Sequence, residues 1–412
     1  YFGANCNIDL NLKWQNDDRG LYEIAAYLKQ LCMHIMAEAV YHSVNKISWN
    51  FSYPTAFSQT QKISFEGICR EAVEDAVQNT GFDNSNDELS ITSWPESKAA
   101  SYHFNKVGNS FYNFSEGAIC LDIGAGTTDI SVISGAPGRI VYHTSLQYAG
   151  RYFFKPIANN MTLFGGENDL EINSSATSYA KNNAIFDARM RDHSDDFLRD
   201  LKNIIGRDEV KAVLQQSQMA VSGLFYYLGE LLAALKEKGI YTEDRLPDVY
   251  IGGNGSRIFS WLTGGRFEDS NNYLSIIKNI LERKSGLPRD AAFRIYLSEK
   301  PKIEVVAGMI GDKPTNDREF FDEDKIADTL FGEAYDPRKA EAVMAGNDFV
   351  CHELPGYPDG FISAGDISDG IKVSELDEIN SFVHMFNKGK YIWHEPISFS
   401  NSDMAHLLKN VN

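Results

Sequence analysis

The chain of 412 residues carries 57 acidic against 39 basic side chains, a formal net charge of −18, with 43% hydrophobic and 12% aromatic residues. Such a composition suits a globular protein with a large core, built as two or three domains or as one two-lobed fold, and excludes a disordered chain. The acidity argues against nucleic acid or an anionic membrane surface as a general partner and reads as a cytoplasmic surface.

The chain opens with Tyr1 and shows neither a basic leader region nor an apolar one, so no signal peptide is expected. The missing initiator Met points to a trimmed chain or a piece of a larger parent polypeptide. Residues 21–44, LYEIAAYLKQLCMHIMAEAVYHSV, repeat apolar positions at spacings of three and four and predict a long, largely buried helix. KISWNFSY at 46–53 alternates as a strand that Pro54 ends, and Ser58 is placed as the N-cap of a helix that stops before Gly81. LSITSW at 89–94 predicts a short strand, and Pro95 with Glu96 begins the helix ESKAASYHF. Residues 105–115 read as loop.

AICLDIGAGTTDISVIS at 118–134 is a buried strand, a glycine turn and more strand. A turn at Gly135-Ala-Pro-Gly138 then leads into RIVYHTSLQY, which is a hairpin signal. Residues 151–240 are mostly helical in pattern, broken by an Asn- and Ser-rich stretch at 159–184. PDVYIGGNGSRI at 247–258 returns to strand and a glycine turn, followed by a helical pattern at 273–285, the strand FRIYLSEK and the segment IEVVAGMIG. From about residue 311 the chain is richer in Asp, Gly and Pro. No window of 18 apolar residues occurs, so no membrane span is expected. Cysteines at 6, 32, 69, 120 and 351 include no C-x-x-C pair and read as reduced, buried thiols. The histidines are scattered and read as structural or exposed.

The chemistry concentrates in Asp122-Ile-Gly-Ala-Gly-Thr-Thr-Asp129. A glycine turn after a buried strand presents backbone N–H groups, with no Cβ to block a phosphate, and Thr127 and Thr128 add hydroxyls. An aspartate beside phosphate makes sense with Mg²⁺ between them, so Asp122 and Asp129 could together hold a metal and orient an attacking water. Neither a P-loop nor a dinucleotide-binding fingerprint is present. The competing reading is a tight β-hairpin that uses Gly and Thr for turn propensity alone.

D-I-G-A-G-T-T-D resembles the second phosphate motif of the actin-like ATPase superfamily, which holds DnaK-type heat-shock chaperones, actin, FtsA-like proteins and sugar kinases; bacterial DnaK-like ATPase domains are the nearest match. The resemblance implies Asp122, Thr127 and Asp129 as catalytic residues, with Asp122 and Asp129 at Mg²⁺. It implies that Gly124, Ala125, Gly126, Thr127 and Thr128 meet the phosphates. Further motifs follow in order. FSYPTAFSQTQ at 51–61 resembles the segment with the lobe-coupling proline, here Pro54. SWPESKAA at 93–100 resembles the first connecting helix, with Trp94 where chaperones carry glutamate. VYIGGNGSRI resembles the adenosine motif, implying Gly252, Gly253 and Arg257 as adenosine contacts despite one extra residue before the arginine. EVVAGMIG at 304–311 resembles the second connecting helix, where Ala307 and Gly308 would permit a close crossing. Gly150, before Arg151, is taken as the glycine after the hairpin in preference to Gly165-Gly166.

The expected fold is therefore α/β, a two-lobed actin/heat-shock-chaperone ATPase fold with ribonuclease H-like lobes. Residues 1–116 would be the rest of a first lobe and 117–300 the second. Residues 301–412 would hold the second connecting helix and an irregular extension. Nothing before Tyr53 resembles the first phosphate hairpin of the superfamily, so the first lobe is expected to be incomplete in this chain. The implied function is a Mg²⁺-dependent ATP/ADP-binding protein or slow ATPase, a nucleotide-controlled switch read out by a protein partner. The alternatives are a non-catalytic scaffold that keeps the fold and, second, a small-molecule kinase.

Overall fold

The computed structural model describes residues 12, 18–44, 46–55, 57, 59–82, 90–107, 114–135, 138–146, 148–160, 163, 201, 203–265, 267–289 and 293–310. The predicted Ser58 cap, Gly165-Gly166 and everything from 311 onward lie outside them.

The first long helix, α1 (Asp18–Tyr41), is amphipathic and not largely buried as its apolar spacing suggested: Leu28, Cys32, Met36 and Ala39 turn inward, while Tyr22, Tyr27, Leu31, Ile35 and Tyr41 are exposed, because one layer of neighbours covers only one stripe of the helix. It packs beside α2 (Gln59–Thr80), whose Cys69, Ala72, Val73 and Ala76 close the same core. Strands β1 (Ser48–Tyr53) and β2 (Ser90–Pro95) pair in parallel on either side of α2 in sequence, a β–helix–β crossover. Gly81, at a φ of +68°, ends α2 as expected. Without a break, β2 passes into α3 (Glu96–Val107). Trp94 is buried there against Tyr102, and the Lys98 ammonium lies 4.6 Å from the Trp94 ring centroid.

A five-stranded mixed sheet follows, ordered β5-β4-β3-β6-β7. Its strands are β3 (Ala118–Ile123), β4 (Thr128–Ser134), β5 (Arg139–Leu146), β6 (Asp248–Gly252) and β7 (Ile295–Leu297). β3, β4 and β5 are antiparallel neighbours, whereas β6 runs parallel to both β3 and β7. Strand alternation divides the two faces. Ile119, Leu121, Ile123, Ile130 and Val132 face α4 (Gly150–Ala158), α5 (Asp208–Glu237), the short α6 (Ile258–Leu262) and α7 (Asn272–Ser285). Ala118, Cys120, Ile133 and Tyr250 face α3 and α8 (Glu304–Ile310).

By length and composition, α5 alone among the described helices could cross a membrane, although the sequence showed no unbroken apolar run. Its Val213, Leu224, Leu228 and Leu232 are buried in the core under the sheet, the placement of a central helix in a globular fold.

The buried cysteines behave as the sequence suggested. Burial pushes the Cys69 and Cys120 thiols up to about 12 and also raises Cys32. All three are expected to resist alkylation at neutral pH in the native protein and to react once it is unfolded in urea. Mass spectrometry of alkylated samples checks this; fast native labelling of Cys120 would contradict the burial.

Candidate phosphate-binding site

β3 and β4 form a hairpin whose turn is the Gly-Ala-Gly-Thr stretch, closed by the Gly124 N–H donating to Thr127 O at 2.8 Å. Asp122 and Asp129 face each other across it in register. The row continues to Ser145 on β5 and Gly252 on β6, so these four positions share the sheet face that α3 and α8 cover. The row lies at the carboxyl ends of β3 and β6, where open α/β sheets bind ligands. Asp122 is half-buried and Ala125, at the tip of the turn, is exposed.

Two other elements clasp the turn. The N–H groups of Gly150 and Arg151, at the start of α4, donate to the carbonyls of Gly124 and Ala125 at 3.1 and 2.8 Å. A Cβ at Gly150 would lie 2.9 Å from Gly124 O, which explains the glycine and puts Gly150 at the turn. From the other side comes the Gly-Gly-Asn-Gly segment after β6. Gly253 has φ 77° and ψ 157°, and a Cβ there would stand 2.2 Å from Asp122 Oδ1. A Cβ at Gly255 would stand 2.4 Å from Gly124 O. The extra residue before Arg257 thus supplies a third close-packing glycine and the short helical turn Asn254–Arg257.

Two of the expected donors and ligands have other partners. Asp129 is 2% exposed; its Oδ1 accepts from the Thr55 N–H at 3.1 Å and from the Ser145 hydroxyl. The Thr128 hydroxyl donates to Tyr148 O at 2.7 Å, because strand alternation turns residue 128 to the face opposite Asp129. Thr127 is buried at the base of the turn, and Arg257 is half-buried at the end of its helical turn.

Several residues at the site carried no sequence signal. Thr55, directly after Pro54, bonds Asp129, and its hydroxyl donates to Ser97 on α3 at 2.7 Å. Ser97 Oγ is in turn 3.3 Å from His143 Nδ1 on β5. Glu304, fully buried at the start of α8, lays its carboxyl group on Gly252, with Oε1 2.8 Å from where a Cβ would be. Its Oε2 accepts from the Lys302 N–H at 2.7 Å, while Oε1 has no hydrogen-bond partner among the described residues. Burial lowers the pKa of His103 on α3, an effect the Glu304 charge opposes. Among the described residues, no three His, Cys, Asp or Glu side chains gather closely enough to enclose a metal.

No protein-family model matches the chain, and no curated protein does. Solved structures show similarity. The ethanolamine utilization protein EutJ from Carboxydothermus hydrogenoformans matches over 69% of this chain and 73% of its own, at 14% identity and a TM-score of 0.37. The MamK double helical filament matches over 73% and 78%, at 14% identity and a TM-score of 0.33. ADP-bound MreB5 of Spiroplasma citri matches over 33% and 35%, at 21% identity and a TM-score of 0.24. At such TM-scores the likeness has no bearing on the site, which is read from its own residues.

Proposed function

We propose that the turn at 124–127 binds the phosphates of ATP or ADP together with Mg²⁺, and that the chain is a nucleotide-controlled switch or slow ATPase. One observation carries the reading: Asp122, next to last in β3, lies beside a turn that three glycines, at 150, 253 and 255, hold against the neighbouring backbone. A plain hairpin turn needs no such clasp. Gly124, Ala125 and Gly126 bring no bulky side chain of their own to the turn, as close contact of its backbone with phosphate requires.

Asp122 is the acid placed to hold the metal, through water and phosphate oxygens. This fits Mg²⁺, which keeps several waters and takes one or two carboxylates rather than a protein cage. Bound there, the ion would neutralise phosphate charge. Asp129 is assigned a supporting part: it fixes the hairpin to residue 55 and the edge of β5. In this proposal β1, β2, α1 and α2 belong to the first lobe, the five-stranded sheet to the second, and α3 with α8 connects them. Gly252, Gly253 and Arg257 would border the adenosine. A protein partner would read the lobe movement.

Titration calorimetry with Mg·ATP and Mg·ADP tests this, with Asp122→Asn as the control. Binding by the native chain, reduced at least tenfold in the variant or when Mg²⁺ is chelated, is the expected result. No binding of either nucleotide would leave the fold as a scaffold, and phosphate transfer to an added alcohol or sugar would favour the kinase.

A further inference from the structure

We infer that Arg151 is the cation that grips the phosphate chain of the bound nucleotide. This rests on the phosphate-binding reading of the turn and adds to it a specificity-determining residue on α4, outside the strand–turn–strand motif.

The placement comes from two contacts. The Arg151 N–H donates to Ala125 O at 2.8 Å, so the backbone at the start of α4 is pinned to the tip of the turn. The side chain then runs back over the turn: Nη1 lies 3.1 Å, and Cζ 4.0 Å, from where a Cβ at Gly126 would be. A side chain at 126 would press on the guanidinium, so the glycine serves the arginine as well as the turn. Arg151 is half-buried, held against the turn while still reaching solvent.

Charge gives that position its meaning. The turn is flanked by Asp122 and Asp129, and a nucleoside di- or triphosphate brings further negative charge to the same place. Like charges at this range oppose binding unless a cation accompanies them. Arginine suits the task better than lysine, because its planar fork of N–H donors matches two phosphate oxygens at once and its charge does not titrate. The ligand class follows. The contribution of Arg151 depends on the phosphates and not on the base, so the site selects nucleoside di- and triphosphates over the nucleoside.

The experiment compares binding of Mg·ATP, Mg·ADP and adenosine by the native chain, Arg151→Ala and Arg151→Lys. Hydrogen bonds to charged groups are strong enough that Arg151→Ala should weaken ATP and ADP binding by about ten- to a hundredfold. Arg151→Lys should recover part of the loss, and adenosine binding should stay the same in all three. Native-like ATP affinity in Arg151→Ala overturns the inference and leaves the phosphate reading standing. An equal loss for adenosine also overturns it, since that would make the arginine structural. Failure of the native chain to bind any nucleotide overturns both. A thermal melt of each variant accompanies the titrations; if Arg151→Ala proves unfolded, Arg151→Lys decides, and native-like ATP affinity there overturns the assignment of a forked contact.

Discussion

Gly253→Ala is expected to remove the proposed nucleotide binding and a large part of the stability of the fold. Two costs combine at this position. The backbone sits at φ 77° and ψ 157°, a region essentially reserved for glycine, where any other residue costs about 1–3 kcal/mol. The added methyl would also lie 2.2 Å from Asp122 Oδ1 and 2.4 Å from Ile123 O. Ile123 O is backbone, and it cannot retreat easily because β3 is paired with β4 on one side and β6 on the other. Relief must come from swinging the Asp122 carboxylate away or from parting β3 and β6 at their ends. The first displaces the acid that the proposed function assigns to the metal, and the second opens the turn. A summed loss of about 3–5 kcal/mol is a large share of the roughly 5–15 kcal/mol that holds a typical domain together. Chemical denaturation and Mg·ATP titration of the same sample measure both effects. Gly67→Ala is the control, because a Cβ there meets nothing within 4 Å and lies inside α2. That change should stabilise the helix by about 0.5–1 kcal/mol. If Gly253→Ala melts and binds like the native chain, the clasp around Asp122 is not as described.

Much of this architecture was legible from local pattern, because helices and strands announce themselves through apolar period and through Gly and Pro at their ends. The spacing in 21–44 foretold α1, and the Asp-x-Gly-x-Gly-Thr-Thr-Asp stretch led directly to the β3–β4 hairpin. What stayed hidden depends on register and on residues far apart in the chain. Nothing local to Thr55 says that its N–H will meet a carboxylate 74 positions away. Nor could Thr128 be told apart from Thr127 as a donor, since one step along a strand reverses the face and sends its hydroxyl to Tyr148 O. The inserted residue in Gly-Gly-Asn-Gly looked like a departure from the adenosine motif. In the folded chain it yields Gly255, which packs on Gly124 O. Arg151 drew no notice because its neighbour Gly150 carried the resemblance, yet its reach over Gly126 depends on where α4 begins.

Gly308→Ala should show that the crossing of α3 and α8 governs the site from a distance. A Cβ at Gly308 would lie 1.8 Å from Ala99 O and 2.7 Å from the Ala99 carbonyl carbon, both backbone atoms of α3. No rotamer change relieves that overlap, so the two helices must move apart by an ångström or more, a cost of about 1–3 kcal/mol or greater. The displacement does not stay local. Glu304, one turn earlier on α8, rests its carboxyl group on Gly252 at the end of β6, next in the row to Asp122. Shifting α8 lifts that group from the glycine and opens a gap beside the turn at 124–127. The expected result is a lower melting temperature together with weaker Mg·ATP binding, although residue 308 touches neither turn nor acid. Val306→Ala, on the exposed side of the same helix, should leave both within about 0.5 kcal/mol of native. A loss of stability with unchanged nucleotide affinity would show that the crossing only braces the fold. Loss of both ties the helix crossing to the carboxylate row, which is the coupling that the proposed switch requires.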